Sequence, residues 1–159
     1  MKRLLWAVAL VIGLGLIGTS VFMRIAGDDP ALWHVDPASA ERTGRPNDYL
    51  VAPEGATGVP ADRVLDLRAQ PAEDLLFLFD AVVRPSSQVK VLAGSVEAGH
   101  ITYVQRTALF GFPDYITVKA VEGDGGSGLI IWSRSRFGYS DMGVNKTRID
   151  TWLKQIEAP

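Results

Sequence analysis

The chain has 159 residues, of which 47% are hydrophobic and 21% are charged, and its formal net charge is −2. Three of its 16 basic residues lie within residues 1–25, so the rest of the chain carries 13 basic against 18 acidic side chains. An acidic domain lacks the basic face that supplies most of the affinity for nucleic acid, and we expect no nucleic-acid partner. The absence of cysteine excludes disulfides, thiol catalysis and thiolate metal sites.

An uncharged segment follows Lys2 and Arg3 and runs over residues 4–23. As a helix rising about 1.5 Å per residue, it would extend roughly 30 Å, which is the thickness of the hydrocarbon core of a bilayer. We therefore predict a single-pass membrane anchor over residues 1–25. Because positive charges favour the cytoplasmic side, we expect the C-terminal domain to be extracytoplasmic (periplasmic) at the cytoplasmic (inner) membrane.

A cleaved signal peptide is the alternative for the same segment. Gly18, Thr19 and Ser20 are small residues of the kind found at cleavage sites, but apolar residues continue past them to Met23. Signal peptides typically have an apolar region of only about 7–15 residues, so an uncleaved signal-anchor is favoured. Both alternatives send the domain across the membrane.

Residues 26–70 are rich in proline and acidic side chains, and they keep neither a helical nor a strand period. Unstructured loops of that length are uncommon inside a compact domain. The segment is either a linker or an extended strap lying on the domain, and apolar residues such as Trp33 and Val35 favour a strap for part of it. Short strands are predicted near residues 49–51 or 64–67.

Residues 71–159 are predicted to form an α+β domain. Pro71 begins a helix in which apolar residues recur at three- and four-residue spacing. Four segments then alternate apolar and polar side chains between turn signals, over residues 88–93, 100–109, 114–122 and 129–136. An amphipathic helix over residues 144–156 follows, with a predicted apolar stripe of Val144, Ile149, Trp152, Leu153 and Ile156. We expect a four-stranded antiparallel meander with the C-terminal helix packed on one sheet face, and the opposite face wet or functional.

The turn between the second and third predicted strands is aromatic, with Phe110, Phe112 and Tyr115 around it. Such a cluster either forms a tip that faces lipid or a partner protein, or packs into the core. Packing in the core is the favoured role for at least two of the three rings.

Residues 133–148 join the last strand to the last helix and are dense in hydrogen-bonding groups. Their four basic side chains stand against one acidic side chain, Asp141, which gives a local charge of +3. Arg134 and Arg136 are two apart on a strand and therefore share a face. Guanidinium groups and the free N–H groups of a helix N-terminus suit phosphate or carboxylate, so an anion site is one hypothesis. Its predicted ligand-binding residues are Arg134, Arg136, Tyr139, Asp141, Asn145, Arg148 and His34.

The same segment also fits a purely structural network. In that alternative Asp141 caps the last helix, while Arg134 and Arg136 pair with acidic side chains such as Asp114 or Asp150. Structural pairing is the more common role of such groups, so the network is slightly favoured. The shared face of the two arginines, in contrast, favours the anion site. Both hypotheses stay open at this point.

Motifs in and around this segment resemble a known family. Residues 133–148, with Phe112-Pro113-Asp114 before them and Trp152-Leu153 after them, are similar to the bacterial and plastid family called domain of unknown function 1499. Trp33-His34-Val35-Asp36-Pro37 and Pro46-Asn47 resemble its early motif. The resemblance covers residues 33–156. Since the family has no established activity, it implies kinship and no reaction.

Three functions remain in competition. The favoured one is a non-enzymatic, membrane-anchored binding or accessory domain that recognises an anionic small molecule, a lipid headgroup or an envelope protein. The second is a hydrolase-type enzyme using His34 with Asp36 or Asp141 as a proton-transfer pair. The third is a structural subunit of an envelope complex that uses an exposed sheet face. His34 and His100 are the only histidines, fewer than the three ligands of a typical catalytic zinc, and we predict no metal and no cofactor.

Overall fold

The computed structural model describes residues 1–157. Its first element is helix α1 (Lys2–Ile25), which has no buried residue. This helix is long and apolar enough to cross a membrane. Its 24 residues would extend about 36 Å at ~1.5 Å per residue, slightly more than the hydrocarbon core of a bilayer.

The domain is built on one sheet. Its strands are β1 (Asp48–Ala52), β2 (Arg63–Val64), β3 (Val89–Ser95), β4 (His100–Arg106), β5 (Pro113–Gly123) and β6 (Gly126–Ser135). The spatial order is β2-β1-β6-β5-β4-β3. Strands β3 to β6 are successive antiparallel neighbours, whereas β1 pairs antiparallel with β6 and parallel with β2. The prediction of a four-stranded, wholly antiparallel sheet was therefore wrong, because the Pro-rich segment adds two strands and makes the sheet mixed.

Strand β1 is an interior strand. Tyr49 and Val51 belong to the cluster on one side of the sheet, and Leu50 and Ala52 belong to the cluster on the other side. All four side chains are buried. A strand that is buried on both faces reads as a continuous apolar run, and this is why the short apolar stretch here carries no alternation.

Two helices cover one face of the sheet. They are α3 (Ala72–Val83) and α4 (Val144–Glu157), close to the two helices that the periodicity predicts. Phe79 of α3 meets Trp152 of α4 edge to face, with ring centroids 6.1 Å apart. The predicted apolar stripe of α4 was wrong at one end: Val144 is exposed and Asn145 is fully buried, because polar groups of the sheet lie opposite that turn of the helix.

The other face is covered by residues 26–40, called the crossing segment below, which include helix α2 (Pro30–Trp33). The Trp33 ring stacks on Tyr115 of β5, with centroids 3.9 Å apart and planes 10° apart. Farther along, Val35 and Ala38 pack against a second cluster that contains Ile130 and Trp132. The expectation of a wet or functional second face was therefore wrong over this part of the sheet.

Replacing Trp33 with alanine tests how much this cover contributes. The change removes the stack on Tyr115 but keeps the backbone of the crossing segment. We expect the free energy of unfolding to fall by roughly 2–4 kcal/mol, which is less than the ~3–5 kcal/mol typical of buried aromatic truncations, because Trp33 is only partly buried. Denaturation of the full chain in detergent, followed by circular dichroism, measures it.

The matched control is Leu32→Ala, since Leu32 is the preceding residue and is exposed. Its effect is expected to stay within about 0.5 kcal/mol. Equal effects of the two substitutions would contradict the structural role assigned to the crossing segment.

Candidate functional site

The predicted site residues lie on two opposite faces of the sheet. Successive side chains of β6 alternate, so Arg134 faces the crossing segment while Ser133 and Ser135 face α4. The structure places Arg134 and Arg136 on one face, as predicted. It places Asn145 and Arg148 on the opposite face of the sheet, beside α4. A single site that contains all four side chains is not formed.

Arg134 is buried, with 8% of its surface exposed. Its guanidinium donates to the Trp33 carbonyl at 2.7 Å and to Thr117 Oγ1 at 3.3 Å, and it lies 4.0 Å from the Trp132 ring centroid. Within residues 1–157 it forms no salt bridge. Burial lowers the pKa of Arg134 from 12.5 to about 10, which leaves it charged at neutral pH. A guanidinium enclosed in this way fastens the crossing segment to the sheet.

Arg136 lies next to Arg134 on the same face and is only partly buried. It donates to the Gly27 carbonyl at 2.9 Å, just beyond the end of α1, and stands over the Phe137 ring at 5.1 Å. No carboxylate within the described residues pairs with it. Arg136 therefore stays available to an anion near the end of α1.

Behind the sheet, Arg148 and Asn145 belong to a closed polar network. Arg148 forms a salt bridge with Asp114 at 2.5 Å, in which only 8% and 7% of the two side chains are exposed. Its guanidinium also donates to Ser133 Oγ at 3.0 Å. The Asn145 amide donates to the Asn47 carbonyl at 3.1 Å. The hydrogen-bonding groups of these side chains are paired with one another, as the structural alternative predicts. The partner of Asp114 differs from that prediction, because it is Arg148 and neither Arg134 nor Arg136.

Tyr139 and Asp141 occupy the loop between β6 and α4. The Asp141 carboxylate accepts the backbone N–H groups of Gly143 at 2.9 Å and Asn145 at 2.8 Å, so it caps the start of α4. Tyr139 is exposed. Neither side chain shares a hydrogen bond with Arg134 or Arg136 in the part of the chain that the structure describes.

His34 lies on the crossing segment, where its ring stacks on His100 with centroids 4.0 Å apart. Its Nδ1 is 2.8 Å from Thr102 Oγ1. Burial, with a contribution from His34, lowers the pKa of His100. The two rings therefore pack as a stacked pair that holds the segment against β4.

The carboxylates proposed as partners of His34 are engaged elsewhere. Asp36 forms a salt bridge with Lys119 at 2.5 Å, and Asp141 caps α4. Over residues 1–157 no hydrogen bond joins His34 to either carboxylate, so this arrangement has no preformed acid–base pair. In the same range, no three His, Asp or Glu side chains are arranged to hold a metal ion.

Sequence reasoning missed the junction between α1 and the domain. Arg106, the last residue of β4, donates to the Met23 and Ala26 carbonyls and forms a salt bridge with Asp28 at 2.8 Å. The Tyr115 hydroxyl donates to Asp28 at 2.7 Å, and burial together with this hydrogen bond raises the pKa of Tyr115 to about 12. No local pattern links residues so distant in sequence; the available signal was an acidic residue, Asp28, five positions after the end of the apolar run.

A cleft of about 620 Å³ opens beside this junction. Its charged lining consists of Arg24, Lys90 and Arg106 against one carboxylate, Asp28. Arg24 and Lys90 are exposed and form no salt bridge within residues 1–157. The cleft therefore has a local excess of positive charge, in a domain that is otherwise acidic, at the end of α1.

Comparison with known proteins gave one result. The family model described as a protein of unknown function (DUF1499) matches residues 70–156, more than half of the chain. No match to a curated protein or to a solved structure was found. The matched range includes residues 133–148, whereas the early motif around Trp33 lies outside it. The resemblance seen in the sequence is thereby confirmed: the chain belongs to the DUF1499 family, whose function is unknown.

Proposed function

We propose that this chain is a membrane-anchored, extracytoplasmic binding or accessory domain whose ligands are anionic groups at the bilayer surface. The observation that carries the proposal is the basic cleft at the end of α1. A helix that spans the bilayer ends at the level of the lipid headgroups, and the cleft is lined by the last residues of that helix. Its lysine and arginines therefore meet headgroup phosphates.

The junction supports the proposal because it fixes the cleft in place. Arg106 donates hydrogen bonds to carbonyls on both sides of the end of α1 and also to Gly111 at 3.0 Å. Arg24 donates to the Ala108 carbonyl at 2.8 Å. Charge-assisted hydrogen bonds of this kind are stronger than neutral ones. A domain held in this way presents the same surface to the membrane, whereas a flexible tether would let it turn.

Charge distribution supports the same orientation. The chain beyond residue 25 carries five more acidic than basic side chains, so most of its surface is repelled by anionic lipid. The cleft has the opposite sign, and Arg136 adds a further cation near Gly27. Each Lys or Arg close to an anionic surface contributes about 1 kcal/mol. The buried side chains of Arg134, Asn145 and Arg148 lie outside the cleft and act as parts of the fold.

Lys90→Gln is the most direct variant for testing the ligand class. The Lys90 side chain is exposed and makes no hydrogen bond within the described residues, so its replacement leaves the fold intact. The full chain is extracted from bilayers with equal amounts of phosphatidylglycerol and phosphatidylcholine, and the retained lipids are counted by native mass spectrometry. We expect the parent to retain phosphatidylglycerol preferentially and the variant to retain it roughly fivefold more weakly.

Lys154→Gln serves as the control, because Lys154 is an exposed lysine on α4 outside the cleft. It is expected to match the parent. Equal retention of the two lipids by the parent, or equal losses in the two variants, would refute the anionic ligand.

The side of the membrane is tested separately with Ala98→Cys. The chain has no cysteine of its own, and Ala98 is exposed in the turn between β3 and β4. In spheroplasts, a membrane-impermeant maleimide should label this single cysteine while a cytosolic thiol protein stays unlabelled. Labelling that needs cell lysis would place the domain in the cytoplasm and contradict the proposed location.

A further inference from the structure

The turn between β4 and β5, residues 107–112, is apolar at its tip. No charged residue occurs between Arg106 and Asp114. Leu109, at the tip, is 73% exposed. The tip adjoins the exposed apolar surface of α1, and a contiguous apolar patch of this kind marks an interaction or membrane surface.

This turn is packed against α1. The Leu109 carbonyl accepts from Ser20 Oγ at 3.3 Å and from Arg24 at 3.4 Å. Gly111, with φ +74°, lies so close to Arg24 that a Cβ on it would come within 2.7 Å of the arginine's Cγ. The turn and the last part of α1 are therefore neighbours at a fixed height.

That height is inside the apolar run of α1. Ser20 precedes Met23, the last residue of the uncharged run, by three positions, which is about 4.5 Å along a helix axis. Interfacial protein segments bury their apolar side chains roughly 5–10 Å into the boundary between headgroups and acyl chains. When α1 spans a bilayer, the tip of the turn reaches this boundary.

The backbone of the turn is suited to a medium with little water. Five of the six carbonyl oxygens in residues 107–112 accept hydrogen bonds within the protein, and such pairing is required wherever water is scarce. The N–H groups of residues 108–110 have no acceptor within residues 1–157. Phosphate and ester oxygens of lipids lie at this depth and can accept from them.

We propose that residues 107–112 form a second membrane contact, in which Leu109 and Phe110 insert beside α1 into the headgroup and acyl boundary of the leaflet on the domain side. The Phe112 ring packs beside the tip. Its centroid lies 5.9 Å from the centroid of the Phe110 ring and 6.3 Å from that of the Phe137 ring. The occupant of this surface is the bilayer itself. The contact depends on α1 spanning the membrane, and it requires neither an anionic ligand nor a particular leaflet.

A spin label at Leu109→Cys tests this contact in the full chain, which contains no other cysteine. The chain is reconstituted in phosphatidylcholine vesicles, and collision of the label with oxygen and with a water-soluble nickel chelate is measured. We expect the label to collide readily with oxygen and poorly with nickel, as acyl-chain positions do. Phe77→Cys is the control, because Phe77 is an exposed apolar residue on α3, and its label should collide readily with nickel.

Two outcomes would overturn the proposal. If the Leu109 label collides with nickel as readily as the Phe77 label does, the tip is in water. If it is shielded from both reagents, the tip is covered by protein and not by lipid. Circular dichroism of both labelled variants confirms that they share the fold of the parent. Because the vesicles carry no anionic lipid, the result is independent of the proposed headgroup binding.

Discussion

The Arg106 guanidinium lies at the end of β4, and it donates hydrogen bonds to groups of α1, of the crossing segment and of the turn between β4 and β5. Its partners are the Met23, Ala26 and Gly111 carbonyls and the Asp28 carboxylate. Arginine suits this position because its planar fork presents several donors in fixed directions. Four otherwise separate acceptors would lose a partner without it, and their unmet hydrogen bonds would be costly in a half-buried place. Arg106 therefore helps to set the orientation of the domain relative to α1, together with the Arg24 contact to the Ala108 carbonyl.

The polar side chains of residues 133–148 have a different role from the one their density first indicates. Arg134 is enclosed between Trp132 and the crossing segment, and Arg148 pairs with Asp114 behind the sheet. Leaving either charge without its partners inside the protein would be strongly destabilising, so each such network fixes one arrangement of the elements it joins. Function is therefore better sought at the end of α1, where Arg24 and Lys90 are exposed and Arg136 is partly exposed.

The sequence predicts those parts of the fold whose signals are local. The periodicity of Leu75, Leu76 and Phe79 predicts α3, and alternation predicts β3 to β6. It could not predict that β1 joins the sheet, because a run of four apolar residues carries no pairing information. It placed Arg134 and Arg136 on one face correctly, from their spacing alone. The crossing segment covers this face because Trp33 stacks on Tyr115. The two residues are distant in sequence, so no local pattern predicts their contact.

The claim that α1 and the domain form one unit is tested most directly by a distance between them. Spin labels at Val11→Cys on α1 and Ala98→Cys on the far turn, in the full chain in nanodiscs, report that distance by pulsed dipolar spectroscopy. The account predicts one narrow distribution that broadens in Arg106→Met, while Arg45→Met, at an exposed arginine, leaves it unchanged. A distribution that is already broad in the parent, or unaffected by Arg106→Met, would contradict the account.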